Sequence, residues 1–289
     1  MVKDLFISLR PKQWTKNVMV FAGLFFAGDV WKTSKFALAL LTFGLFCLTS
    51  SSGYLLNDIF DREKDRLHPH KRLRPIAAGK ISIRTAAFVA VTLLAAALYF
   101  SYQVSYIFAI ILSTYYLLTL FYSAYLKQIV IVDVMIIASG FMFRAIGGTV
   151  ILGEEVSSWL IICTIFLALF LALSKRRSEV VSLGMNAGSV RKTLAEYNSH
   201  LLDQLLNVVT AACLMSYALY TLDPNTVAKF GTRRLVFTLP FVIYGIFRYL
   251  YLVHNRNLGE SPEQVILSDK PLLACIILYG VSAAFIIYL

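Results

Sequence analysis

Long apolar stretches separated by short polar ones run the length of the chain, at roughly 17–31, 36–56, 85–102, 104–122, 129–152, 158–173, 201–222, 235–253 and 271–289. A helix crossing a hydrocarbon layer of about 30 Å needs about 20 residues, so this pattern predicts nine transmembrane helices. Composition supports the same reading. Apolar residues make up 58% of the 289 and charged residues 15%, with a mean hydropathy of +0.72, against about 45–50% and about 25% in soluble chains. The expected fold class is therefore all-α, a polytopic membrane protein with one integral membrane domain over residues 1–289. The first apolar run follows Lys3, Arg10, Lys12 and Lys16 and leads straight into further spans, so it reads as a retained helix rather than a cleaved signal.

Charge then sets an orientation. With the N-terminus in the cytoplasm, the inner segments carry 20 of the 27 Lys and Arg residues and the outer segments 5, while Arg144 and Arg248 lie within spans. Cytoplasmic loops are enriched in cations, so the N-terminus is expected inside and the C-terminus outside, in a multi-pass protein of the cell (inner) membrane. The net charge of +11 becomes an orientation signal, and no nucleic-acid partner is expected. Cys47, Cys163, Cys213 and Cys275 all fall in apolar runs at wide spacing, which gives neither a disulfide framework nor a zinc site.

The two long polar segments, after the second and sixth spans, are where chemistry is expected. The first begins Asn57-Asp58-Ile59-Phe60-Asp61-Arg62-Glu63-Lys64-Asp65, with no Pro or Gly to stop the second helix from continuing through it. At about 100° per residue, Tyr54, Asn57, Asp58, Asp61 and Asp65 share one face. Like charges at these spacings repel, so a cation is expected among them. Magnesium suits the oxygen-rich set, because it binds through one or two carboxylates and completes its shell with water and phosphate oxygens. The candidate ligands are Asn57, Asp58, Asp61 and Asp65, and the active site would face the cytoplasm. Next comes His68-Pro69-His70-Lys71-Arg72-Leu73-Arg74-Pro75, a basic stretch restricted by its prolines and suited to phosphate oxygens. His68 and His70 read as polar loop residues. Arg144, well inside a span, is costly unless it has a partner or a polar cavity, which makes it a site candidate. Asp133, 11 residues earlier, is about 16 Å away along the helix, too far to pair with it. Gly140, Gly147 and Gly148 read as close-packing positions.

These motifs resemble the UbiA-type intramembrane prenyltransferase superfamily, in which N-D-x-x-D-x-x-x-D stands at the cytoplasmic end of the second span. The H-P-x-K-R-x-R-P-I run more closely resembles its polyprenyl-phosphate phosphoribosyltransferase branch. So do Arg10-Pro11-Lys12-Gln13-Trp14-Thr15-Lys16-Asn17, Gly140-Phe141-Met142-Phe143-Arg144-Ala145-Ile146-Gly147-Gly148 and Lys175-Arg176-Arg177-Ser178-Glu179, with an echo in Ser268-Asp269-Lys270-Pro271-Leu272. The resemblance implies magnesium-dependent transfer of 5-phosphoribose from 5-phosphoribosyl 1-diphosphate to a polyprenyl phosphate, releasing diphosphate, as a step in making cell-envelope polysaccharide precursors. It implies Asp58, Asp61 and Asp65 as catalytic. Lys16, Lys71, Arg72, Arg74 and Lys127 would hold the donor, and Tyr54, Asn57 and Tyr122 would hold sugar or phosphate oxygens.

Aromatic prenyltransferases of the superfamily carry a second acidic motif after the sixth span. Here that segment opens with Lys175, Arg176 and Arg177, and its acids Glu179, Glu196 and Asp203 are scattered. Three cations around a single acid, Glu179, suit a lipid monophosphate better than a second metal-bound diphosphate. The alternative is a prenyltransferase that moves an isoprenyl group from its diphosphate to an aromatic or other acceptor. A transporter would place acids near the membrane midplane, whereas these sit at helix ends. The sequence is compatible with a homo-oligomer and does not specify one.

Overall fold

The computed structural model describes residues 2–67, 71–183, 192–256, 258–259 and 261–288, and every regular element among them is helical. Eight described helices are long and apolar enough to cross a membrane: Thr33–Phe60, Ile83–Val104, Tyr106–Ala124, Val132–Val150, Ser158–Leu183, Ser199–Leu222, Arg234–Asn255 and Lys270–Tyr288. They correspond to eight of the nine expected spans. The chain forms two compact units, one from Met1–Tyr125 with Gly140–Val156, the other from Leu126–Ser139 with Ser157–Leu289.

The first unit opens with α1 (Val2–Ser8), a 3-10 segment (Pro11–Val20) and α2 (Phe21–Ala27), which Gly28 closes at φ +83°. It continues through α3 (Thr33–Phe60), α4 (Arg62–Leu67), α5 (Ile83–Val104) and α6 (Tyr106–Ala124), and takes the later part of α7 (Val132–Val150). The first expected span, 17–31, is thus not one α-helix. A ten-residue 3-10 run is long for that geometry, and its partners account for it. Residues three apart eclipse in a 3-10 helix and rise about 6 Å, which equals four residues of an α-helix. Trp14 Nε1 donates to Ser51 Oγ (3.0 Å), and three residues on Asn17 Nδ2 reaches Cys47 Sγ (3.2 Å), four residues back along α3. Val20, next in the column, is fully buried. Its carbonyl lies so near α7 that a Cβ on Gly148 would sit 2.0 Å from the oxygen. Gly23 meets Thr149 in the same way, with a Cβ 2.4 Å from Oγ1. Gly147 faces Phe46 and Phe108, so the expected close-packing role holds for both Gly147 and Gly148.

Apolar burial in this unit falls into two clusters. One joins Val20, Leu24, Phe46, Phe108, Leu112 and Tyr115, and the other joins Leu55, Ile76, Ile81, Ala86 and Ala90 near the acidic end of α3. Ser105 ends α5 and caps α6, its hydroxyl accepting from Phe108 N–H, which turns the chain sharply between two spans.

The second unit holds the start of α7, then α8 (Ser158–Leu183), α9 (Lys192–Glu196), α10 (Ser199–Leu222), α11 (Pro224–Phe230), α12 (Leu239–Asn255), α13 (Pro262–Ser268) and α14 (Lys270–Tyr288). Its core runs through Phe170, Leu173, Leu202, Leu206, Ile246, Tyr249, Leu252 and Leu272. Arg248, the second arginine within a span, makes two bonds to Asp269 (3.1 and 2.8 Å), and Asp269 caps α14 by accepting from Leu272 N–H. That guanidinium and the amide hold the Asp269 carboxyl below its usual range.

Candidate active site

The acidic end of α3 continues almost without a break into α4. Asp61 forms a one-residue turn (φ −87°, ψ 2°), while Asp61 N–H still bonds Asn57 C=O (2.9 Å) and Asp65 N–H bonds Asp61 C=O (2.8 Å). The face read from the sequence is therefore kept. Asp58 and Asp65 are both buried, at 2% and 4% exposure. Their oxygens converge on one atom, Arg74 Nη1, at 3.1 and 2.6 Å, and Arg10 Nη2 also donates to Asp58 Oδ1.

Two guanidiniums thus stand among the carboxylates and offset part of the like-charge repulsion that the sequence reading gave to a metal. The convergence still fits a divalent ion. Two carboxylate oxygens already focus on a single positive atom, and magnesium needs only one or two such ligands beside water and phosphate oxygens. No group of three His, Cys, Asp or Glu side chains suited to a metal occurs among the described residues.

Other expected residues surround this end. The Arg10 guanidinium lies 5.0 Å from the Tyr54 ring centre. Asn57, Asp61, Lys16 and Lys71 are half-buried and Arg72 is exposed. His68, Pro69 and His70 lie outside the described residues.

Deeper in the same unit Arg144 is 6% exposed and does not reach for an interface. Its Nε donates to Asn17 Oδ1, Nη1 to Gly140 C=O and Nη2 to Tyr115 OH, each at 2.7 Å. Gly140 therefore serves as an acceptor.

In the second unit Lys175, Arg176, Arg177 and Glu179 come together on α8, and Asp133 and Asp203 join Glu179, so the three cations do not surround a single acid. Arg176 Nε donates to Asp133 Oδ2 (2.7 Å) and Nη1 to Glu179. Arg177 pairs with Asp203, and Lys175 lies 3.8 Å from Glu179. Folding brings a carboxylate to each cation, from α7, α10 or one turn along α8. Asp133 is fully buried and also accepts from Tyr197 OH (2.8 Å), which in turn accepts from Ile131 N–H (2.7 Å). Burial and the adjacent carboxylate raise the Tyr197 phenol well above its usual range. Ile131 sits at φ +68°, a strained place for a β-branched residue, and the 3-10 turn before it, Leu126–Gln128, carries half-buried Lys127. The Lys127 carbonyl accepts from Thr193 Oγ1 (3.3 Å). Tyr122, in the first unit, stands half-buried near the end of α6.

Arg10, Asn17, Tyr115, Asp133 and Tyr197 are the participants that sequence reasoning did not assign. Arg10 and Asn17 stood in a motif, and Asp133 was an acid inside an apolar stretch. Nothing local marked Tyr115 or Tyr197.

A family model described as the UbiA prenyltransferase family matches residues 17–268. The chain belongs to the UbiA prenyltransferase family. As a UbiA chain it is an enzyme, with transferase chemistry. Among its relatives, decaprenyl-phosphate phosphoribosyltransferase of Corynebacterium glutamicum is 35% identical over 270 residues, covering 92% of this chain and 81% of that one. The protein of the same name from Mycobacterium tuberculosis is 32% identical over 289 residues, covering 96% and 93%. The solved structure of a UbiA homolog from Archaeoglobus fulgidus bound to DMAPP and Mg2+ matches with a TM-score of 0.72 at 20% identity, covering 99% of each chain. That likeness establishes the UbiA fold.

Proposed function

We propose that this UbiA enzyme transfers 5-phosphoribose from 5-phosphoribosyl 1-diphosphate to a polyprenyl phosphate, at the cytoplasmic face of the cell (inner) membrane, for cell-envelope polysaccharide precursors. The observation that carries the reading is identity of 35% across nearly the whole chain with a decaprenyl-phosphate phosphoribosyltransferase. In the reaction an oxygen of the lipid phosphate bonds to C1 of the ribose while the C1–O bond to diphosphate breaks, and the electron pair leaves with the diphosphate. A lipid phosphate is already ionised at neutral pH, so the site needs charge stabilisation more than a strong base.

Asp58 and Asp65, with Asn57 and Asp61 beside them, would hold magnesium, which when bound would neutralise charge on the diphosphate. Arg10, Arg74, Lys16, Lys71 and Arg72 supply cations for phosphate oxygens at that end, and Tyr54 offers a hydroxyl to the sugar. The lipid phosphate is assigned to the Lys175–Arg177 group on α8, with Glu179 ordering it. Because Arg176 is 4% exposed and bound to two carboxylates, Lys175 is the more available charge there.

Purified protein with magnesium, a polyprenyl phosphate and labelled 5-phosphoribosyl diphosphate should yield a labelled lipid and an equal amount of free diphosphate. Asp61→Asn should abolish turnover while expression is kept. Transfer of an isoprenyl group to an aromatic acid, with the sugar donor ignored, would establish the prenyltransferase alternative instead.

A further inference from the structure

Arg144 places a full positive charge inside the first unit with only neutral partners. Its three bonds go to an amide, a phenol and a backbone carbonyl, with the Tyr115 and Phe141 rings beside it at 4.8 and 5.4 Å. No carboxylate pairs with it among the described residues, in contrast to Arg10, Arg74, Arg176, Arg177 and Arg248, each of which has at least one. A buried guanidinium without an anion is costly. Three of its five N–H donors are used, so Nη1 and Nη2 each keep one, and this pair is suited to the two-pronged contact that phosphate accepts.

Its depth fits one end of the donor. Asn17, which holds Arg144, also touches Ser50 Oγ (3.4 Å) and Cys47 Sγ on α3. Ser50 lies eight residues, about 12 Å, from Asp58 along that helix. Side chains lean toward the start of a helix, so those of Ser50 and Asp58 shift together and the spacing is kept. That separation is of the order of a pentose phosphorylated at both ends. Tyr54 and Ser51 lie between on the same face of α3 as Asp58 and Cys47, and Ser51 and Ser50 are buried. An isoprenyl donor would put hydrocarbon where this charge stands.

We infer that Arg144, oriented by Asn17 and Tyr115, binds the 5-phosphate of the phosphoribosyl donor, and so selects a sugar phosphate over an isoprenyl chain. This rests on the function proposed above and adds the donor's second anchor.

Asn17→Asp tests it, because the change is nearly isosteric and gives Arg144 an internal anion. The variant should melt at the same temperature as the wild type or higher. It should bind ribose 5-phosphate and phosphoribosyl diphosphate about ten- to a hundredfold more weakly, the range expected for losing a bond to a charged group. Binding of inorganic diphosphate with magnesium, which needs only the acidic end, should be unchanged. A purely structural arginine would give the stabilisation without the loss of sugar-phosphate binding. On the wild type alone, ribose 5-phosphate should protect against heat and ribose should not, so the inference stays testable if the variant does not fold. Equal protection by ribose, or unchanged sugar-phosphate binding in Asn17→Asp, overturns the Arg144 assignment. A wild type that binds an isoprenyl diphosphate and neither sugar phosphate overturns the function on which it rests.

Discussion

Asp133 and Arg176 form a pair that water hardly reaches, with side-chain exposures of 0% and 5%. Removing one member of such a pair leaves a buried charge uncompensated, which costs about 3–5 kcal/mol. Arg176→Ala should therefore lower stability by roughly that amount, and joint replacement of Arg176 and Asp133 by apolar residues should recover most of it; thermal melts of the two single and the double variant measure the coupling. Ile131 offers a complementary test. Its left-handed backbone costs about 1–3 kcal/mol, so Ile131→Gly should unfold at higher denaturant than the wild type even though a side chain is lost. Part of this chemistry was legible in the sequence. The α3 acids share a face because the helical period fixes it, and the structure keeps that face through the turn at Asp61. The partners were not legible, because Arg10 lies 48 residues from Asp58 and Tyr197 64 residues from Asp133, and only tertiary folding sets such pairs.

At the scale of elements, most spans could be read from apolar length alone, since length and hydropathy define a span wherever its neighbours impose nothing further. The first could not. Its apolar run satisfies the length rule, but columns of contacts with α3 and backbone approach to α7 select a tighter helix. Gly148→Ala should test the packing directly. The new methyl group would overlap the Val20 carbonyl, which is backbone and cannot turn aside, so a loss of at least about 1–3 kcal/mol is expected and would show as a lower melting temperature. A second device acts at the other end of this unit. Lys35 joins Asp29 to Glu154, and Lys32 adds to Asp29 at 2.7 Å. Bonds from Lys32 and Lys35 hold the Asp29 carboxyl below its ordinary 3.8. A depressed carboxylate stabilises the fold above its unfolded value, and that contribution is lost as pH falls through the folded one. Stability should therefore drop below about pH 4, and Asn at position 29 should flatten that drop in a pH series of melts.

For the molecule as a whole, the orientation proposed from the 20-to-5 division of cations would put the acidic end of α3 in the cytoplasm. A reporter active only there should work when fused after Gly79 and fail at the C-terminus; activity at the C-terminus would reverse the proposed orientation. The division is readable from sequence because it depends on counts near span ends and on no tertiary contact.

The meshing of the 3-10 segment with α3 has a consequence for how the chain can change over time. It works like a vernier, two scales of unequal spacing that coincide only at certain marks, three residues on one against four on the other. Adding one residue between Trp14 and Asn17 would swing everything beyond it by about 120°, taking Asn17 off Arg144 and Val20 off Gly148 together. Adding three would restore the angle but displace the segment by about 6 Å. Substitutions along this stretch can be absorbed one at a time, whereas a change in its length cannot, so homologous chains that keep the arrangement should differ here in residue type and agree in residue number.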